Sequence, residues 1–241
     1  MEIENYSTTH KLKTFYSEAE RQSKLIAIIL LISSLLIFLF SAIGIFDGLS
    51  DAVSQFLENN LGFTNKWSNW FGPEWFVGLN RDAAAFASYP ILFIWFTIII
   101  IYYNFRGESR RLWRFVFIVI GGGILLFISK LIFAEQFPNS PIDFLKNSYY
   151  NFPSGHAMMG TVFYITLGVT ISRRQHSVKT KRLTILSAIL IVIVIGISRI
   201  LPGFHTVSEV LAGWSLGVLW LCSCWVLERK IKQNIRSKLK V

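Results

Sequence analysis

Phe152-Pro153-Ser154-Gly155-His156 is followed by 157–172, AMMGTVFYITLGVTIS, without a single formal charge. An ionisable imidazole thus opens a run suited to the roughly 17–25 residues that cross a hydrocarbon layer. Such groups are costly at membrane depth and mark candidate functional positions. Outward from this stretch, Leu25–Phe46 and Ala83–Phe105 are long uncharged runs. Phe115–Ala134 carries Lys130 near its end, Leu183–Leu201 carries Arg199 near its end, and Glu209–Leu227 opens on its acid. The composition agrees: 53% of residues are hydrophobic, 16% are charged, and the mean hydropathy is +0.49. An ordinary soluble domain is excluded on those figures. The expected fold is an all-α polytopic membrane bundle of six transmembrane helices.

Charge sets the expected orientation. Of 24 Lys and Arg, 19 fall in 1–24, 105–114, 173–182 and 228–241. The positive-inside rule places those segments, and with them both termini, in the cytoplasm. Alternation then brings Lys130, His156, Arg199, His205 and Glu209 to one depth on the outer side. The net charge of +10 reads as topology and contact with anionic lipid. Nucleic acid is not an expected partner, because no soluble basic face is indicated. No obligate protein partner is indicated either. The chain divides into a cytoplasmic segment 1–24, a membrane domain 25–227 and a basic tail 228–241. The first apolar run is too long for a cleaved leader and reads as a retained anchor.

Within the outward segment 47–82, Leu49, Val53, Phe56 and Leu57 recur at helical spacing and predict a short amphipathic helix. Trp67, Trp70, Phe71, Trp75 and Phe76 suit a headgroup layer, as a belt or as a gate over the site. Cys222 and Cys224 point to nearly opposite helix faces and cannot pair with each other. Gly121-Gly122-Gly123 sits mid-span and predicts close helix packing.

The polar residues divide into chemical roles. Pro153 suits a first helical turn, and Ser154 and Gly155 leave the helix-start amides open to an anion. Arg199 offers a planar fork for phosphate oxygens, and Lys130 adds a second cation. Glu209 lies one turn beyond His205, so its carboxylate can take the Nδ1 proton and leave Nε2 nucleophilic. His205 would attack phosphorus, and His156 would protonate the departing oxygen and then activate water. Charge clamping of the moving phosphoryl group is the main demand of that chemistry. The set calls for no metal and no cofactor.

Phe-Pro-Ser-Gly-His (152–156) and Ser198-Arg199-x5-His205-x3-Glu209 resemble the second and third motifs of the type 2 phosphatidic acid phosphatase superfamily. That group holds membrane lipid phosphatases and vanadium haloperoxidases. The resemblance covers Lys130 to Glu209 and the six-span layout. It implies a metal-independent lipid phosphate phosphatase acting at the outer face of a plasma membrane, bacterial by its compact size. Implied substrates are undecaprenyl diphosphate, phosphatidylglycerophosphate, phosphatidic acid or lipid A. It also implies His205 as nucleophile, His156 as general acid, and Lys130, Ser154, Gly155 and Arg199 as phosphate ligands. Two positions depart from the pattern. Phe137-Pro138 stands where an Arg-Pro pair is usual, and Glu209 replaces an aspartate. Transfer of the phosphoryl group to a second lipid, or lipid binding and transport without catalysis, are the alternatives that these departures leave open.

Overall fold

The structure, a computed structural model, describes residues 2–61, 74–133 and 152–238. Trp67, Trp70, Phe71, Phe137 and Pro138 lie outside them. Eight helices and no strand occur among the described residues: α1 (Glu2–Ala42), α2 (Asp47–Leu61), α3 (Glu74–Ala85), α4 (Tyr89–Phe105), α5 (Ser109–Ile132), α6 (Gly155–Ser172), α7 (Val178–Ile200) and α8 (Val207–Lys238).

Helix α1 is sorted largely by side-chain size rather than by polarity. On α1, which packs mainly on α8, the buried positions Ala27, Ser34, Phe38 and Ser41 form one stripe, whereas Ile26, Ile29 and Ile32 point outward. Small residues inside and large aliphatic ones outside suit a hydrocarbon surround, where close backbone approach replaces the hydrophobic effect as the packing force. On α8, Gly213 and Gly217 meet α6. A Cβ at Gly213 would sit 2.6 Å from the Ser154 carbonyl oxygen, and one at Gly217 would sit 2.8 Å from Thr161 Cβ. In the glycine triplet, Gly121 and Gly122 lie under the Trp220 ring, whereas Gly123 faces open space.

Helix α6 is the centre, packed by α5, α7 and α8, with Ala157, Met158, Val162 and Phe163 fully buried. Four described helices are long and apolar enough to cross a membrane, or five when the bent pair α3–α4 counts as one span. Helix α6 is not among them. Its neighbours enclose it, so it carries His156, Thr161 and Thr166 without presenting them to a hydrocarbon surround.

The expected uninterrupted span Ala83–Phe105 is corrected by the structure. The chain breaks at 86–88 and turns by 42° into α4, which Pro90 starts. Proline fits a helix start and breaks a helix interior. The Tyr164 hydroxyl of α6 donates to the Phe86 carbonyl at 2.7 Å, which satisfies a group freed by the break. The amphipathic helix expected around 49–57 is α2. Gly44, at φ +78°, turns the chain into it. It returns to the first turn of α8, where the Ser208 amide donates to Ser50 Oγ at 3.2 Å.

Candidate active site

Lys130 in the last turn of α5, the start of α6, Arg199 in the last turn of α7, and the start of α8 all occupy one end of the bundle. Two backbone bonds stitch these ends together. The Ser154 amide donates to the Glu209 carbonyl at 3.0 Å, and the His205 amide donates to the Arg199 carbonyl at 3.0 Å. An aromatic cluster braces them from beside: Phe152 lies 5.0 Å from Phe133 at the end of α5 and 5.8 Å from Phe38 of α1.

Helix α6 begins later than Pro153 alone suggests. Ser154 is the N-cap, and its Oγ accepts from the Ala157 amide at 3.5 Å, so Pro153 precedes the helix. A serine oxygen that bonds back to the first turn outcompetes the proline's preference for that turn. Ser154 is fully buried, and its hydroxyl proton is left for a further acceptor. The amides of Gly155 and His156 stand ahead of the helical ladder. A Cβ on Gly155 would lie 3.3 Å from Tyr89 Oη and 3.8 Å from Lys130 Cε, so the lysine stem and a tyrosine hydroxyl cross directly over the helix start.

The start of α8 fixes the second imidazole. Glu209 Oε2 accepts from His205 Nδ1 at 2.7 Å and from the Thr206 amide at 3.1 Å, while the Glu209 amide donates to Thr206 Oγ1 at 3.2 Å. Thr206-x-x-Glu209 is thus a capping box, in which threonine and glutamate satisfy each other's amides. With Nδ1 committed to the carboxylate, Nε2 carries the free lone pair. Burial pushes the His205 pKa below the usual 6.5; the bond to Glu209 opposes that shift without cancelling it. The ring is therefore neutral at pH 7.

Arg199 stacks over the Phe204 ring at 4.5 Å. Its Nε is buried with no hydrogen-bond partner among the described residues. His156 lies in the electrostatic field of Arg199, His205 and Lys130, and His205 in that of Glu209, Arg199 and Lys130. The structure thereby gathers Lys130, Ser154, Gly155, His156, Arg199, His205 and Glu209 around one end of α6. Tyr89, Phe204, Thr206 and Gly213 join them and were not singled out from the sequence. Thr206 has a local signature in the T-x-x-E spacing, and Gly213 in the small-x3-small spacing with Gly217. Tyr89 has none.

A two-histidine, two-cation end of a helical membrane bundle defines a class, and comparison with known proteins agrees. The chain belongs to the PAP2 superfamily, whose pattern matches residues 111–233. It is 33% identical over 87 residues to phosphatidylglycerophosphatase B of Bacillus subtilis (strain 168), a match spanning 36% of this chain and 43% of that protein. Among solved structures it resembles the transmembrane PAP2-type phosphatidylglycerolphosphate phosphatase from Bacillus subtilis. The TM-score is 0.65 at 21% identity, covering 83% of this chain and 96% of the other. That likeness shows a shared fold.

Proposed function

We propose that the chain is an integral membrane lipid phosphate phosphatase that works without metal through a phosphohistidine at His205. The observation that carries this reading is the 2.7 Å bond from His205 Nδ1 to a carboxylate itself held in a capping box, with Lys130 and Arg199 acting on the same ring. In the first step the Nε2 lone pair of His205 attacks phosphorus and the P–O bond to the lipid breaks. His156 gives its proton to the departing oxygen. In the second step a water loses its proton to His156 and attacks the phosphohistidine, so the P–N bond breaks and inorganic phosphate leaves. Lys130, Arg199, the Gly155 and His156 amides and the Ser154 hydroxyl hold the non-bridging oxygens. Preorganised charge of this kind stabilises the transition state without reorganisation cost.

In this reading α6 is the sixth span, shielded by its neighbours, and both termini are cytoplasmic. The site then opens at the outer face of a bacterial plasma membrane, where a lipid phosphate reaches the helix ends while its chains stay in the bilayer. The match to a phosphatidylglycerophosphatase makes phosphatidylglycerophosphate the first substrate to try. The test is phosphate release in detergent from that lipid, phosphatidic acid, undecaprenyl diphosphate and lipid A, with chelator present and an acceptor lipid in parallel. Release from at least one lipid, lost in His205→Ala, is expected. Label appearing on the acceptor lipid would make the protein a transferase, and binding without release would make it a non-catalytic carrier.

A further inference from the structure

At the opposite end of the bundle from His205, a cavity of about 780 Å³ opens between the starts of α5, the end of α6 and the later turns of α8. That volume is within the roughly 300–1,000 Å³ of small-molecule sites. Its rim is cationic, with Arg110, Arg111, Arg114, Arg173, Arg174 and Lys232, and its deeper wall is apolar, with residues such as Phe115, Ile118, Ile165 and Leu221.

The rim holds more positive charge than the protein neutralises. Arg114 and Lys232 share one Glu228 oxygen, at 2.8 and 2.6 Å. Arg111 pairs with Glu108 at 2.7 Å, and Arg174 pairs with the same carboxylate and with the Tyr102 hydroxyl. Six cations therefore face two carboxylates. Among the described residues the Arg110 and Arg173 side chains make no hydrogen bond and no close ion pair, although Arg173 lies in the field of Glu228. Both sit beside linkers, at helix ends that face the headgroup layer in the proposed membrane orientation.

We infer that this cavity binds an anionic phospholipid of the leaflet on the side of the α4–α5 and α6–α7 linkers, with the phosphate between Arg110 and Arg173 and an acyl chain along the apolar wall. The two-part lining selects the occupant. A soluble anion would satisfy the arginines and leave Phe115 and Ile118 facing a hydrated ion. A zwitterionic lipid would cover the wall while bringing no net charge to the rim. Basic pockets between membrane helices bind anionic headgroups on these terms. The site is separate from the imidazole end and does not depend on its chemistry.

The test uses the full chain in detergent, titrated with phosphatidylglycerol, phosphatidylcholine or inorganic phosphate, and read by native mass spectrometry and by Tm. Phosphatidylglycerol is expected to bind and raise Tm more in the wild type than in the Arg110→Gln, Arg173→Gln double variant, whereas phosphatidylcholine and inorganic phosphate shift the two proteins alike. Arg110→Gln with Arg173→Gln is expected to weaken phosphatidylglycerol binding by about 30-fold, two cations each contributing about fivefold. Lipid binding at the imidazole end is common to both proteins and cancels in the comparison. Arg173→Gln alone gives a smaller loss and serves if the double variant is poorly folded, which its Tm without lipid reports. Phosphate release by the variants stays at the wild-type rate. An equal loss of the phosphatidylcholine or inorganic phosphate response in the variants, or undiminished phosphatidylglycerol binding by them, would overturn the inference.

Discussion

Gly213→Ala tests whether the contact between α6 and α8 sets the geometry of both imidazoles. The added methyl would lie 2.6 Å from the Ser154 carbonyl oxygen, 2.9 Å from Ala157 Cβ and 3.2 Å from the Met158 amide nitrogen. None of these can swing aside, because all belong to the buried first turn of α6. Ordinary contact begins near 3.4 Å, so the helices must part by about 0.8 Å. Overpacking of this kind costs about 1–3 kcal/mol. The same parting pulls on the 3.0 Å bond from the Ser154 amide to Glu209, and thus shifts His156 against His205. Misplacement near 1 Å can cost up to about 100-fold in rate, so a 10–100-fold drop in kcat is predicted. The control is Gly123→Ala, where a methyl meets nothing within 4 Å. Alanine is the better helix former by about 0.5–1 kcal/mol, so that variant keeps its turnover and its Tm is equal or higher. Phosphate release and thermal unfolding of the two proteins decide the matter. Wild-type turnover and Tm in Gly213→Ala would refute the reasoning.

Three further outcomes follow from the site. Glu209→Gln replaces a charged acceptor at 2.7 Å with a neutral one. Hydrogen bonds to charged groups are worth about 1.5–3 kcal/mol, so steady-state kinetics should show kcat lower by about 10–150-fold, and an unchanged kcat contradicts the role of the pair. Because burial lowers the His205 pKa, its neutral form persists below pH 6.5, and the acid limb of the rate profile falls at lower pH than for a free imidazole. The unfolded chain binds that proton first, so stability from this group is full above pH 6.5 and is lost as pH falls to the folded pKa. Glu209→Gln removes an influence that raises this pKa, so the acid limb moves further to low pH; a move to higher pH would contradict the assignment. Phe204→Leu removes the ring 4.5 Å beneath Arg199. Cation–π contacts are worth about 0.5–2 kcal/mol, which predicts a KM raised about 2–30-fold with kcat less affected, measurable in the same assay.

Much of this end of the molecule is legible in the sequence, because helix alternation is a topological rule. Lys130 and Arg199 close their apolar runs while His156 and Glu209 open theirs, so a reading by alternation brings four side chains distant in sequence to one boundary, and the structure gathers them at one end of the bundle. The break at 86–88 is harder to see. Pro90 signals it, but the residues on both sides are apolar, and hydropathy reads straight through them. Only the Tyr164 hydroxyl, 78 residues away, shows how the freed carbonyl is satisfied. Helix α6 is read from its uncharged run, although burial among other helices lets it carry threonines that weaken its apolar signal. The capping box at Thr206 is written locally, whereas the approach of Tyr89 to Gly155 is a tertiary contact without any sequence spacing to announce it. Size sorting on α1 is similarly hidden, because serine on a lipid-like helix reads as a blemish until its partner is known.

The most direct measurement is rapid quenching of wild-type protein with phosphate-labelled lipid, followed by peptide mapping of the bound label. Label on the peptide carrying His205, absent from His205→Asn, is the predicted result. Turnover without label at that position, or label on another side chain, would contradict the account.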